Sequence, residues 1–355
     1  MSDAKCIGLD VHKTSISAAV LCPNGKAIME ATFATRADAV LSFVRGVDGP
    51  LRITFEEGTH SAWLFEVLRP HAAEVVVCNP RRNALLKSGN KSDHIDARKL
   101  ADLLRTGMIK PVYHGQNSVS SIKELARTYS TLTEDTTRVM GRLKAVFRSQ
   151  ALPTEGKKLY TRCRREQYLA QLTHPGHRYR AALFYEQLDL LQQLRRKARR
   201  DLLLECRKHA VADLLKSVPF IGPIRAAQLI ARVQTPLRFR TKRQFWAYCG
   251  LALETRSSAD YRMVDGELRR SNKPIFVRGL NWNHNHELKN VFKSAATTAS
   301  ICEGPFREFY EKLLAKGTKP DMARLTLARK IAAIVLAIWK KGERFEEKHL
   351  NTQAV

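Results

Sequence analysis

Eight residues, Ile122, Leu125, Tyr129, Leu132, Thr136, Val139, Leu143 and Val146, recur at alternating steps of three and four. That period forces one long helix with a single buried seam. Pro153 ends it. After "THPG" at 173–176 a second stretch sets Phe184, Leu188, Leu191, Ala198 and Leu202 at similar spacing, with Arg195 interrupting the seam. The two helices read either as an antiparallel coiled-coil arm or dimerisation element, or as two ordinary bundle helices packed on a core. Either way they cut the 355 residues into three parts, 1–115, a helical linker over 116–210, and 211–355.

The first part alternates. "KCIGLDVHKTSISAAVL" (5–21) has strand periodicity with an early Asp-Val turn, "PNG" at 23–25 signals a hairpin, and "AIMEATFAT" reads as the next strand. Then helical and strand patterns alternate: "RADAVLSFVRGV", "LRITFEEGTH", "SAWLFEVLRPHA" and "EVVVCNP". Ser92 is placed to cap a helix carrying Asp93, Asp96 and "ARKLADLL". Hairpin strands followed by alternating strands and helices predict a mixed sheet with helices packed on it, an α/β domain.

The third part is mostly helical. "LLKSVPFIGPIRAAQLIARV" has the form of a helix-hairpin-helix, whose turn at Gly222 could cradle a phosphate; a packing hairpin is the alternative. "KRQFWAYCGLALETRSSADYRMVDGELRRSNKP" reads as a helix followed by a long polar loop rich in arginine, and "DMARLTLARKIAAIVLAIWKKGERFE" as a core helix.

Charge narrows the partners. Lys and Arg number 61 against 34 acids, a formal +27, which points to a polyanion, most simply nucleic acid. Candidate contacts are Arg81, Arg82, Lys87, Lys91, Gly222, Arg256, Arg262, Arg269, Arg270 and Lys273. The seven cysteines are scattered without a CxxC pair, which argues against a disulfide scaffold or a zinc ribbon. "MSDAKCIGLD" lacks the secretory pattern and the apolar run 331–339 is too short to span a bilayer, so a cytoplasmic protein without membrane contact is expected.

Against that basic background four acids sit at element ends: Asp10, Glu57, Asp93 and Asp96. Asp93 and Asp96, three apart, share a helix face. Acids in a first helical turn also serve as caps that favour the macrodipole. Four carboxylates on one sheet edge repel unless divalent cations neutralise them, and hard oxygen ligands suit Mg²⁺, with Mn²⁺ also accommodated. Two ions about 4 Å apart would suit phosphodiester chemistry. His12, His60 and His94 lie beside these acids and are given no role.

"GLDVHK", "EGTH" and "KSDHIDARKLA", followed by "SVPFIGPIRAAQLIA", "FWAYCGLALETRSSADYR" and "RRSNKP", resemble in order and spacing the DEDD transposases of the IS-one-ten insertion-sequence family, relatives of the Piv-type invertases. The resemblance covers nearly the whole chain. It implies a RuvC/ribonuclease-H-like catalytic domain over 1–115, coiled-coil helices, and a C-terminal transposase domain over 211–355. It implies Mg²⁺ on Asp10, Glu57, Asp93 and Asp96, and a serine nucleophile at Ser258, with Ser257 adjacent. It further implies donor and target DNA, a structured guide RNA (a bridge RNA), and a homodimer that assembles to a tetramer. Glu56 competes with Glu57 for the metal role; Glu57 is preferred because it keeps Thr59 two residues on. "PFIG" stands where the family has Pro-Gly-Ile-Gly. Two other functions fit parts of the pattern: a RuvC-like Holliday-junction endonuclease that uses water, and a non-enzymatic nucleic-acid-binding scaffold.

Overall fold

The computed structural model describes residues 4–80, 92–114, 119–256, 261–264, 267–270 and 276–351. It divides into two compact units, Met1–Gln116 and Asn117–Val355.

The first unit opens with a meander, β1 (Lys5–Val11), β2 (Ser15–Leu21) and β3 (Ala27–Ala34). The chain turns at His12, whose N–H donates to Ser15 O, and again at the Pro-Asn-Gly segment, where Gly25 takes φ +87°. Then follow α1 (Ala37–Arg45), β4 (Leu51–Glu56), α2 (Ser61–Leu68), β5 (Glu74–Cys78) and α3 (Asp93–Arg105). The sheet order is β3-β2-β1-β4-β5, antiparallel within the meander and parallel where β4 joins β1 and β5. This is the mixed sheet expected from the pattern.

Alternation sorts the two faces. Ile7, Leu9, Ile53 and Phe55 pack with Val40 and Val44 of α1 and Leu64 and Leu68 of α2. α3 covers the opposite face through the buried Ala97, Leu100, Ala101 and Leu104. It lies so close that a Cβ on Gly8 would overlap the Ala97 carbonyl and the Ala101 N–H.

In the second unit α4 (Ser120–Arg148) leads through α5 (Arg165–Ala170) to α6 (Pro175–Arg207). Val139, Leu143 and Val146 near the end of α4 pack with Ala181, Tyr185 and Leu188 near the start of α6. Ile122 and Ala126 at the start of α4 share another cluster with Leu202 and Cys206 at the end of α6. The two helices are therefore antiparallel along the predicted seam. Arg165 braces their far end: it donates to both Asp189 carboxylate oxygens (2.8 and 2.7 Å) and lies over the Tyr185 ring.

α7 (Val211–Ser217) and α8 (Pro223–Val233) form the predicted helical hairpin, followed by α9 (Lys242–Tyr248). The segment read as a polar loop instead contains four short strands: β6 (Leu253–Arg256), β7 (Tyr261–Val264), β8 (Glu267–Arg270) and β9 (Phe276–Leu280). β6 pairs with β9, and β7 with β8. The signal was present: "DG" at 265–266 between two alternating tetrapeptides is a strong hairpin cue, masked by the density of charge. α10 (His286–Ala299), α11 (Pro305–Ala315), α12 (Pro320–Lys341) and α13 (Lys348–Asn351) complete the unit, with α12 buried along its length.

Gly8→Ala puts a methyl group into backbone that cannot move aside, so we expect a loss of about 1–3 kcal/mol, the usual cost of overpacking. Urea unfolding of the variant should show a lower midpoint at unchanged slope; an unchanged midpoint would mean α3 is not seated on β1.

Candidate metal centre

Strand parity decides which acids meet. β1 and β4 run parallel in a register that pairs Gly8 with Thr54 and Leu9 with Phe55, so the next positions across are Asp10 and Glu56. Opposed residues share a face, and Gly8, two before Asp10, faces α3. Asp10 and Glu56 thus project to the α3 side at the carboxyl ends of the two central strands. α3 begins there. Ser92 caps it, its Oγ accepting the Ile95 N–H at 3.3 Å, and Asp93 and Asp96 occupy its first turn.

The acids also act on one another. Burial pushes the Asp10 carboxyl above the usual carboxylate range; Asp93 and Asp96 push the same way, while His12 pulls it down. Burial likewise raises Glu56, with Asp10 and Asp96 adding to it. Asp10, Glu56, Asp93 and Asp96 are one repelling cluster.

Glu57, expected in this cluster, faces elsewhere. Its Oε2 accepts from His114 Nε2 at 2.6 Å, and the His114 ring packs against Phe65 of α2 at 5.2 Å between centroids. One step along an extended chain reverses the side-chain direction, and that step separates Glu57 from Glu56. The motif spacing to Thr59 favours Glu57; the alternation of Arg52, Thr54 and Glu56 against Leu51, Ile53 and Phe55 favours Glu56. A cavity of about 540 Å³ opens beside the cluster, with Asp10, His12, Glu56, Glu57, Thr59 and His60 among its lining.

His12 acquires a place that its sequence context did not suggest. Its Nε2 donates to Asp10 Oδ2 at 3.1 Å and stands 3.4 Å from Asp93 Oδ1. Asp10, His12 and Asp93 each offer a donor atom within 4.8 Å of the others, a set that could hold a metal ion. His12 follows β1 directly, two residues after Asp10, and that spacing is the signal that could have found it. His94 Nε2 lies 3.4 Å from Thr32 Oγ1, and His60 packs edge-on to Trp63.

The donor set fits a divalent cation. Asp96 Oδ1 is buried and makes no hydrogen bond among the described residues, with Lys99 Nζ 3.6 Å away. Buried acceptors of this kind ordinarily find a partner.

Other candidates are placed as follows. Gly222 precedes α8 in extended conformation, and a Cβ there would meet open space. Arg256, Arg262, Arg269 and Arg270 lie on β6, β7 and β8; Arg269 pairs with Glu267 at 3.2 Å. The β7–β8 register sets Arg262 opposite Arg269. Arg81, Arg82, Lys87, Lys91, Ser257, Ser258 and Lys273 lie outside the described residues.

Raised carboxyls in the folded state carry a sign. The unfolded acids ionise first as pH rises, so the folded state holds more protons and loses stability through the window from the ordinary carboxylate pKa up to the raised values. Asp10→Asn and Glu56→Gln should therefore melt close to wild type in acid and above it near neutrality, by roughly 2–4 °C if about 1 kcal/mol is relieved. Divalent cation should raise wild type more than either variant. Melting curves across pH, with and without Mg²⁺, decide this; variants that melt lower at neutral pH would show the cluster is not repulsive.

Comparison with known proteins places the chain in a family. Residues 7–150 match the DEDD transposase model of the IS110 type, and residues 212–311 match the transposase model of the IS116/IS110/IS902 family. An insertion element IS110 uncharacterized 43.6 kDa protein from Streptomyces coelicolor is 28% identical over 140 residues. That alignment spans 39% of this chain and 31% of the relative. The first match covers every acid of the cluster and the second covers the helical hairpin and the arginine-bearing strands, and the chain belongs to the IS110 family of transposases.

Proposed function

We propose that this protein is the transposase of an insertion sequence, a site-specific recombinase that cuts and rejoins DNA. The observation that carries the reading is the convergence of Asp10, Glu56, Asp93 and Asp96 at the carboxyl ends of β1 and β4 beside the first turn of α3. In this reading those carboxylates hold Mg²⁺, or Mn²⁺ in its place. The metal supplies Lewis acidity at a phosphodiester and neutralises charge that develops on its oxygens. Asp10 and Glu56 fix the sheet side of the cluster, Asp93 and Asp96 the helix side, and His12 holds the Asp10 and Asp93 carboxylates in place. Among the described residues no helix is long and apolar enough to cross a membrane.

Ser258 is the proposed nucleophile. Its Oγ bonds to a DNA phosphorus as the bond from phosphorus to the leaving strand breaks, and the serine proton passes to the departing oxygen. The phosphoserine ester keeps the energy of the broken bond, so rejoining needs no nucleotide triphosphate. What supports a phosphate-binding role nearby is the β7–β8 ribbon. Like charges directly opposite each other weaken a strand pair, and Arg262 facing Arg269 makes sense when a polyanion lies across them. Donor and target DNA, a structured guide RNA, and a homodimer assembling to a tetramer complete the proposal; the net +27 suits nucleic acid of either kind.

Two experiments test it. Glu56→Gln should reduce Mg²⁺-dependent strand cleavage at least 100-fold, while Glu57→Gln, which loses a pair with His114, should retain most of it; the reverse order would return the metal role to Glu57.

Labelled DNA run on a denaturing gel tests the serine. Wild type should give a slow-migrating protein–DNA adduct that vanishes in Ser258→Ala and persists in Ser257→Ala. Clean cleavage without any adduct would replace the recombinase with a junction-resolving endonuclease that uses water.

A further inference from the structure

Trp282 is 84% exposed, the most exposed large apolar side chain among the described residues. Tryptophan buries more apolar area than any other residue when it packs, so leaving one in water forgoes that gain. A floppy loop could explain it, but this loop is pinned. The Asn281 N–H donates to Ala252 O (3.1 Å), and its Nδ2 donates to Ala247 O (3.2 Å) and Asn283 O (3.1 Å). The Asn283 N–H donates back to Asn281 Oδ1 (2.9 Å). His284 Nδ1 donates to Asn281 O (2.5 Å), and the His284 ring sits against Gly250, whose positive φ and missing side chain make room for it. Asn285 donates through its N–H to Tyr248 O (2.9 Å), and its side chain caps α10. Anchors thus flank Trp282 on both sides and hold its ring outward.

The surroundings favour an unpaired base as its partner. Trp282 follows β9 by two residues, where Leu280 pairs with Leu253, itself 39% exposed. Arg256 stands at the other end of β6, about 10 Å from Leu253 at the rise of a strand. Lys289 of the adjoining α10 acts on the His284 ring of the same loop, and an aromatic face beside cations is the arrangement that binds single-stranded nucleic acid, with stacking on the ring and phosphates on the cations. Lys289 and Lys293 on the adjoining α10 add positive charge.

We propose that Trp282 is a stacking platform for an unpaired base of the DNA strand opened at the cleavage point. The assignment to DNA rests on the recombinase reading above; the stacking itself rests on the loop.

Fluorescence tests it in the full-length protein. Trp63, Trp246 and Trp339 are half-buried, so Trp282 dominates the red edge of the emission and iodide quenching. Titration with single-stranded DNA should quench that component, and blunt duplex should not. Trp282→Ala should abolish the quenching and weaken single-strand binding about 5- to 100-fold, the range found for one stacked base. Trp282→Phe should keep most of the affinity. Four results would overturn the proposal. They are an iodide-inaccessible Trp282, which means another part of the protein covers it; equal single-strand affinity in Trp282→Ala; quenching by duplex and single strand alike; and quenching by single-stranded RNA but not DNA, which would assign the platform to RNA. Absence of DNA binding by the wild type would instead remove the recombinase reading on which the DNA assignment depends.

Discussion

The closeness of α3 to β1 governs the catalytic unit. With no side chain at Gly8, the helix backbone rests on the strand, and Ala97 and Ala101 supply the matching small residues. That seat fixes both the height and the direction of α3, so its first turn ends level with the last residue of β1. Ser92 sets where the helix starts. Move the start by one residue and Asp93 and Asp96 rotate about 100° away from Asp10. The grouping of the acids is thus a consequence of a helix–sheet contact one to two turns away.

The cluster survives because its repulsion is shared out. Asp10, Glu56 and Asp96 are half-buried, and burial raises the proton affinity of the first two, while Asp93 stands exposed on the helix end. The macrodipole at the α3 N-terminus favours negative charge there. Capping, the bland explanation for Asp93 and Asp96, is therefore part of the arrangement: the helix end that tolerates two acids is the end that must present them. It does not account for Asp10 and Glu56, which lie on strands.

Sequence pattern made much of this legible. The meander, the three helices of the first unit, the Ser92 cap and the long seam of α4 all follow from periodicity and turn chemistry. Three of the four clustered acids were visible as element ends. Glu56 was ranked below Glu57 because a motif spacing was weighed above strand parity, and parity is fixed by the backbone whereas motif spacing tolerates slippage. His12 was passed over because a lone histidine carries no signature; only its two-residue spacing from Asp10 gives it meaning. The ribbons β6–β9 were hidden by charge, which reads as loop although alternating strands tolerate it on a solvated face. Asn281, Asn283 and His284 gave no sequence cue at all, since the loop is built from bonds to Ala247 and Ala252, more than 25 residues earlier in the chain.

The turn of the helical hairpin places a bulky side chain where the backbone is left-handed. Phe220 stands at the glycine of the family's Pro-Gly-Ile-Gly and still takes φ +67°, a conformation that costs a side-chain-bearing residue about 1–2 kcal/mol. Phe220 is half-buried against the core of the second unit, edge-on to Phe306, and that burial offsets part of the cost. Arg225, one turn into α8, donates to the Phe220 carbonyl at 2.6 Å and ties the strained residue to the helix. The turn is therefore held by packing and a guanidinium. Gly222 retains the open approach to the α8 N-terminus that a phosphate would need.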